Sequence, residues 1–260
     1  MSQTGVIVAY KNDCAIVNLN NPGRANALSR FLVEELADHV ERLSQSDTLR
    51  AVVFTGGESK AFCAGADLKE RRMMDEDQIV SYVALLRDTF TKIAELPMPT
   101  IAAIKGLALG GGCELALSCD IRVMEEDAFM GLTEVSWGII PGAGGTQRLS
   151  QLVGAGKAKE LIFSARSLRA HEAEKIGLVE QVCGVGESEQ KALELAYEIS
   201  KNAPISVRLA KAAIHSYNAA QLENGLNAEW SYYKQTIPTR DRLEGLAAFI
   251  EKRSPVYRGE

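Results

Sequence analysis

An α/β fold is what the sequence predicts, and three observations carry that prediction. Short apolar runs alternate with helical segments up to about residue 150, glycine-rich turns join them, and beyond that point the periodicity is helical throughout. Val6 to Tyr10 and Cys14 to Leu19 read as two strands joined at Lys11-Asn12-Asp13, a hairpin signal. Leu28, Phe31, Leu32, Leu36, Val40 and Leu43 recur at helical spacing, which predicts an amphipathic helix over 29–45. Ala51 to Thr55, closed by Gly56-Gly57, reads as a buried strand, and Asp77 to Leu96 as a helix stopped by Pro97 and Pro99. Thr100 to Ile104 is a second buried strand running into GLALGGG. A helix follows from about Gly111 to Cys119, then a strand from Ile121 to Met124. Strand, glycine turn, helix, strand is the grammar of β-α-β units on a parallel sheet. Segments 157–164, 188–201, 205–217, 222–235 and 239–252 carry helical periodicity, and no strand is expected between them. Such a tail must bury its apolar faces on the core, on itself or on another subunit.

The 260 residues are 46% hydrophobic and 24% charged, which suits a compact globular chain and argues against disorder or a fibre. A net charge of -5 disfavours a general nucleic-acid binder, which needs a basic face to release counterions. Five cysteines without a C-x-x-C pair, and three scattered histidines, argue against disulfides and a zinc site. The N-terminal MSQTGVIVAYKND lacks the features of a signal or transit peptide, and Lys105 and Glu114 interrupt the most apolar segment. The expectation is a cytoplasmic protein with no membrane partner.

Three glycine-bearing stretches demand explanation: AFCAGADLKE (61–70), GLALGGGCELALSCD (106–120) and GLTEVSWGIIPGAGGTQRL (131–149). They fail as phosphate cradles: Gly142-Ala143-Gly144 has Gln147 where a dinucleotide fingerprint needs its third glycine, and Gly156-Lys157 is followed by Ala158 rather than Ser or Thr. Gly110-Gly111-Gly112 precedes a helix, so unpaired N–H groups there face outward at the positive end of the dipole. The turn Ala64-Gly65-Ala66-Asp67 could supply a second donor, and two converging amides make an oxyanion hole; both stretches could equally be tight turns. Glu114 could simply complement the helix dipole, and Glu134 could be a desolvated acid or a solvated loop residue. Cys63 and Cys113 flank the turns, but no histidine lies near enough in sequence to activate either, so packing is their simplest role.

Together these stretches, with NPGRANALS (21–29) and the C-terminal EKRSPVYRGE, resemble the crotonase superfamily, also called the enoyl-CoA hydratase/isomerase family. The resemblance covers nearly the whole chain. It implies a ClpP/crotonase-type spiral of β-β-α units, with a core over 1–200 and a helical C-terminal region over 201–260 that trimerises. By the same resemblance, Ala66 and Gly111 fall at the two oxyanion-hole amides, and Glu114 and Glu134 match the two catalytic glutamates of the hydratases. Ala64, Ala66, Asp67 and Leu68 would line the CoA path. Arg24 and Lys69 are candidate phosphate partners that could equally be solvated cations, and Phe249 and Lys252 match positions that approach CoA.

The implied activity is hydration of a 2-enoyl-CoA to a 3-hydroxyacyl-CoA in acyl-CoA degradation. It needs no metal and no cofactor beyond the CoA of the substrate, in a homotrimer or a hexamer of two trimers. KQTIPTRDRLEGLAAFIEKR and FSARSL (163–168) also resemble the methylglutaconyl-CoA hydratase branch of leucine breakdown, which includes an RNA-binding member. An RNA-binding role is disfavoured, because Glu34, Glu35, Asp38, Glu41 and Asp47 outnumber Arg30 and Arg42 on the helix in question.

Overall fold

The computed structural model describes residues 4–216 and 219–260. The first three residues of the N-terminal stretch, and residue 217 at the expected end of the 205–217 helix, lie outside the described residues. The strands are β1 (Gly5–Lys11), β2 (Cys14–Asn20), β3 (Ala51–Thr55), β4 (Thr100–Ile104), β5 (Leu107–Leu109), β6 (Ile121–Glu125), β7 (Phe129–Gly131), β8 (Leu168–Arg169) and β9 (Gln181–Cys183). The first helices are α1 (Arg30–Ser44), α2 (Leu68–Arg71), α3 (Glu76–Ala94), α4 (Gly111–Ser118), α5 (Gly145–Val153) and α6 (Ala155–Ser164). The later ones are α7 (Ala170–Lys175), α8 (Ser188–Ser200), α9 (Pro204–Ser216), α10 (Ala219–Thr236) and α11 (Arg240–Glu251).

Two sheets organise these elements. One runs in the order β1-β2-β3-β4-β6-β9, the other β5-β7-β8. β1 and β2 form the expected antiparallel hairpin, with Asn12 in its turn at φ 54°, a conformation asparagine tolerates. From β2 onward the larger sheet is parallel. AVVFT and TIAAI are buried at every position, because helices cover both faces of a parallel sheet. Ala192 and Ala196 of α8 pack with Val53, Ile101, Ala103 and Val123 on one face. The other face meets α1 and α3 through Leu32, Leu36, Val40, Tyr82, Leu86 and Phe90.

The spiral lies in the chain order. β4 enters the large sheet, β5 the small one, and α4 follows; β6 and β7 repeat the step. Bridges between Cys63 and Ala108, and between Leu28 and Ala66, carry the same pattern into the earlier turns. The fold is the expected α/β spiral with a helical C-terminal region.

One expectation fails. Strands β8 and β9 lie beyond residue 150, where none was expected. Each has three residues or fewer, so neither shows an alternation, and their partners β7 and β6 are far away in sequence. No described helix is long and apolar enough to cross a membrane.

The turn at 21–26 is held by one buried side chain. The Asn26 amide nitrogen donates towards the carbonyls of Gly56, Ala61 and Phe62 at 3.0, 3.1 and 3.0 Å. Its oxygen accepts from the Asn21 N–H at 2.9 Å. That stitch sets Ala25 against the Ala64 N–H, and so fixes the start of the turn that carries Ala66.

Candidate active site

Two backbone amides are left undonated where two turns meet. Leu28 pairs with Ala66 as a parallel bridge, accepting from Asp67 N–H and donating to Gly65, which leaves the Ala66 N–H facing the opposite way. Gly111 opens α4, where a first-turn N–H has no partner within the helix. Neither N–H donates a hydrogen bond among the described residues. A methyl built on Gly111 would lie 3.8 Å from the Ala66 nitrogen, so the two donors converge. Gly110, at φ 51°, gives the chain the turn that starts the helix there.

Two carboxylates meet the same spot. Glu114 sits in the first turn of α4 and is 3% exposed; its Oε1 accepts from the N–H groups of Ala143 and Gly145 at 2.8 and 2.9 Å. Glu134 opens a short 3-10 turn, Glu134–Trp137, and is 8% exposed. Both of its oxygens are buried without a hydrogen-bond partner among the described residues. A methyl built on Gly110 would lie 3.5 Å from Glu134 Oε1, which places this acid over the turn that starts α4. Burial pushes the Glu114 carboxyl up to about 7; the Glu229 charge adds to the rise, and the two amide donors oppose it. Burial also holds Glu134 well above the usual carboxylate range, with the Glu114 charge adding to it.

One cleft contains these groups. Its wall brings together Ala64, Ala66, Leu68, Gly111, Glu114 and Glu134 from the expected set. The remaining expected CoA contacts lie off this wall. Asp67 is 4% exposed and engaged: it caps α2 through the Lys69 and Glu70 N–H groups and pairs with Arg24. Lys69 is exposed, Lys252 ends α11 at φ 52°, and the Phe249 ring stands edge-on to Trp137, a cleft residue, at 5.2 Å. Cys63 and Cys113 are buried, and burial pushes the Cys63 thiol up to about 12, so neither is poised as a thiolate.

Several residues escaped the sequence reading. Glu229 of α10 is 2% exposed and accepts from the Gly144 and Thr146 N–H groups at 2.6 and 2.9 Å and from the Thr146 hydroxyl. It thereby pins the loop whose neighbouring amides cradle Glu114. Tyr233 and Arg71 also line the cleft. The signal for Glu229 was present: Leu226, Glu229 and Tyr233 share one helical stripe, so an acid lies among buried apolar positions.

The raised carboxyls have a stability consequence. A folded-state pKa raised above 4.5 means that the native chain binds its proton more tightly than the unfolded one. The associated stability is complete below 4.5 and is lost as pH climbs through about 7. Glu114→Gln, neutral at every pH and still able to accept from both amides, should gain thermal stability relative to the parent between about pH 5 and about pH 8. Melting curves at both pH values check this, and a difference that stays constant would refute it.

Residues 9–260 match the family model Enoyl-CoA hydratase/isomerase. The chain is 50% identical over 255 residues to a putative enoyl-CoA hydratase/isomerase of Bacillus subtilis, covering 98% of each protein. It is 47% identical over 249 residues to the mitochondrial methylglutaconyl-CoA hydratase of Homo sapiens, covering 94% of this chain and 74% of that one. A crystal structure of enoyl-CoA hydratase from Bacillus anthracis superposes with a TM-score of 0.80 at 49% identity, over 99% of this chain and 100% of that one. The matched range takes in both carboxylates and both free amides, and the chain belongs to the enoyl-CoA hydratase/isomerase family, the crotonase superfamily.

Proposed function

We propose that the protein is an enoyl-CoA hydratase, adding water in the syn sense to a 2-enoyl-CoA to give a 3-hydroxyacyl-CoA. Glu134 is the observation that carries the reading. A carboxylate with both oxygens buried and unpartnered is expensive to keep, and here it shares a cleft with a second buried acid and two undonated amides. The thioester oxygen accepts from Ala66 and Gly111, which stabilise the charge that develops there as the double bond is attacked. The Ala143 and Gly145 donors occupy Glu114 Oε1 and favour its ionised form, leaving Oε2 for water. Glu134 has no such donor from another residue and is the acid that holds the proton shared by the pair.

Glu114 takes one proton from water as the oxygen bonds to C3, and Glu134 gives its proton to C2. Both groups act from one side of the substrate, which makes the addition syn. A proton passing from Glu114 back to Glu134 restores the starting state, with no net redox change.

Support also comes from the relatives named hydratases, and the human methylglutaconyl-CoA hydratase brings 3-methylglutaconyl-CoA into the substrate panel. The exposed Ile205, Leu209 and Ile214 of α9 support self-association of the helical tail, as in a trimer or hexamer. The test is loss of enoyl-thioester absorbance with crotonyl-CoA, longer 2-enoyl-CoAs and 3-methylglutaconyl-CoA. Turnover of at least one is expected, and silence across the panel would end the proposal.

A further inference from the structure

We infer that Arg71 is a specificity residue: its guanidinium receives a carboxylate carried by the acyl chain, so the cleft prefers CoA monothioesters of short dicarboxylic acids to neutral chains of matching length. The inference rests on the hydratase reading and extends it from the reacting carbons to the rest of the acyl group.

Arg71 ends α2, five residues after Ala66, and α2 turns it inward while Lys69 and Arg72 on either side stay exposed. It is 6% exposed and lines the cleft beside Leu68, Val83, Leu86, Ile140 and Tyr233. A cation in so apolar a wall needs a counter-charge, and no described carboxylate lies within ion-pair distance of it. One N–H donates to the Tyr233 hydroxyl, and the guanidinium lies over the Tyr82 and Tyr233 rings at 5.7 and 5.9 Å. Its other donors have no protein acceptor among the described residues.

Arg122 shows what a buried arginine with a purely structural task looks like here. At 2% exposed, it donates to the carbonyls of Leu178, Ala116, Cys119 and Asp120 and to the Glu180 carboxylate. The Arg71 fork instead faces the cleft unspent, in the planar geometry that matches a carboxylate. Arg71 and Glu134 line the same cleft, so the bound carboxylate would lie in the cavity that also holds the reacting carbons. A neutral chain in that place would bury the guanidinium without an acceptor, so the site selects by penalty as well as by attraction.

Binding calorimetry with two unreactive thioesters, glutaryl-CoA and hexanoyl-CoA, decides the matter without needing turnover. The parent protein should bind glutaryl-CoA at least about tenfold more tightly. Arg71→Gln should bring that ratio to unity or below, and Arg71→Lys should retain part of it. The proposal is overturned if the parent binds hexanoyl-CoA as tightly as glutaryl-CoA. It is also overturned if Arg71→Gln weakens both equally, as it would if the residue only anchored Tyr233 or touched the CoA moiety. Should Arg71→Gln fail to fold, the comparison in the parent still decides. A persistent binding ratio without hydration of glutaconyl-CoA or 2-hexenoyl-CoA would sink the hydratase reading and leave the carboxylate site standing.

Discussion

Glu114→Gln and Glu134→Gln should each lower kcat for hydration by on the order of 10²-fold or more, with a much smaller change in KM. Each glutamine keeps the shape and the neutral polarity of the side chain but can neither take a proton from water nor give one to C2. In the proposed mechanism the substrate is still gripped by the Ala66 and Gly111 amides, which neither change touches, and that grip is why KM should be spared. Because the proposed mechanism has both carboxyls work on one water and share one proton, the double variant should be little worse than the poorer single one. Steady-state kinetics on the best substrate checks all three variants. A single variant retaining more than about half of the parent kcat would remove that residue from the chemistry.

Gly112→Ala should destabilise the fold by about 3 kcal/mol and abolish hydration. The added methyl would lie 2.1 Å from the Cys63 carbonyl oxygen and 2.8 Å from its carbonyl carbon, both fixed backbone atoms that cannot turn aside. Cys63 and Gly112 are where the turns carrying the Ala66 and Gly111 amides are pressed together, with Cys63 paired to Ala108 on one side and Leu107 and Leu109 bonded to it. Forcing them apart separates the Ala66 and Gly111 donors. The comparison is Gly156→Ala in α6, where nothing lies within 4 Å of the new methyl; there, alanine should stabilise the helix by up to about 1 kcal/mol. Urea denaturation with an activity assay on both variants tests this, and equal stability of the two would contradict the account.

The elements that the sequence made legible are those with enough residues to show a period. Leu32, Leu36, Val40 and Leu43 mark α1 because one face of fifteen residues is buried. AVVFT and TIAAI mark β3 and β4 because both faces are. β5, β7, β8 and β9 have two or three residues each and exist through partners distant in the chain, a relation no local pattern carries. At the site, the glycine triplet foretold a helix start with free amides, but Glu114 and Glu134 read singly were a dipole complement and a loop acid. What distinguishes them is burial by segments far away, Ala143 and Gly145 above all. Arg71 was hidden for the opposite reason: in the charged run KERR every residue looks solvated, and only the direction in which a one-turn helix docks sends one of them inward.

Glu229 ties the distant end of the chain to the loop that holds Glu114. By accepting from Gly144 and Thr146 it anchors the segment whose Ala143 and Gly145 amides donate to Glu114, so the ionisation of Glu114 should depend on how firmly α10 is seated. Under the proposed mechanism the helical tail is then a thermodynamic lever on turnover. Bracing α10 is expected to sharpen the acid–base pair, and loosening it to lower turnover before the parallel sheet is disturbed.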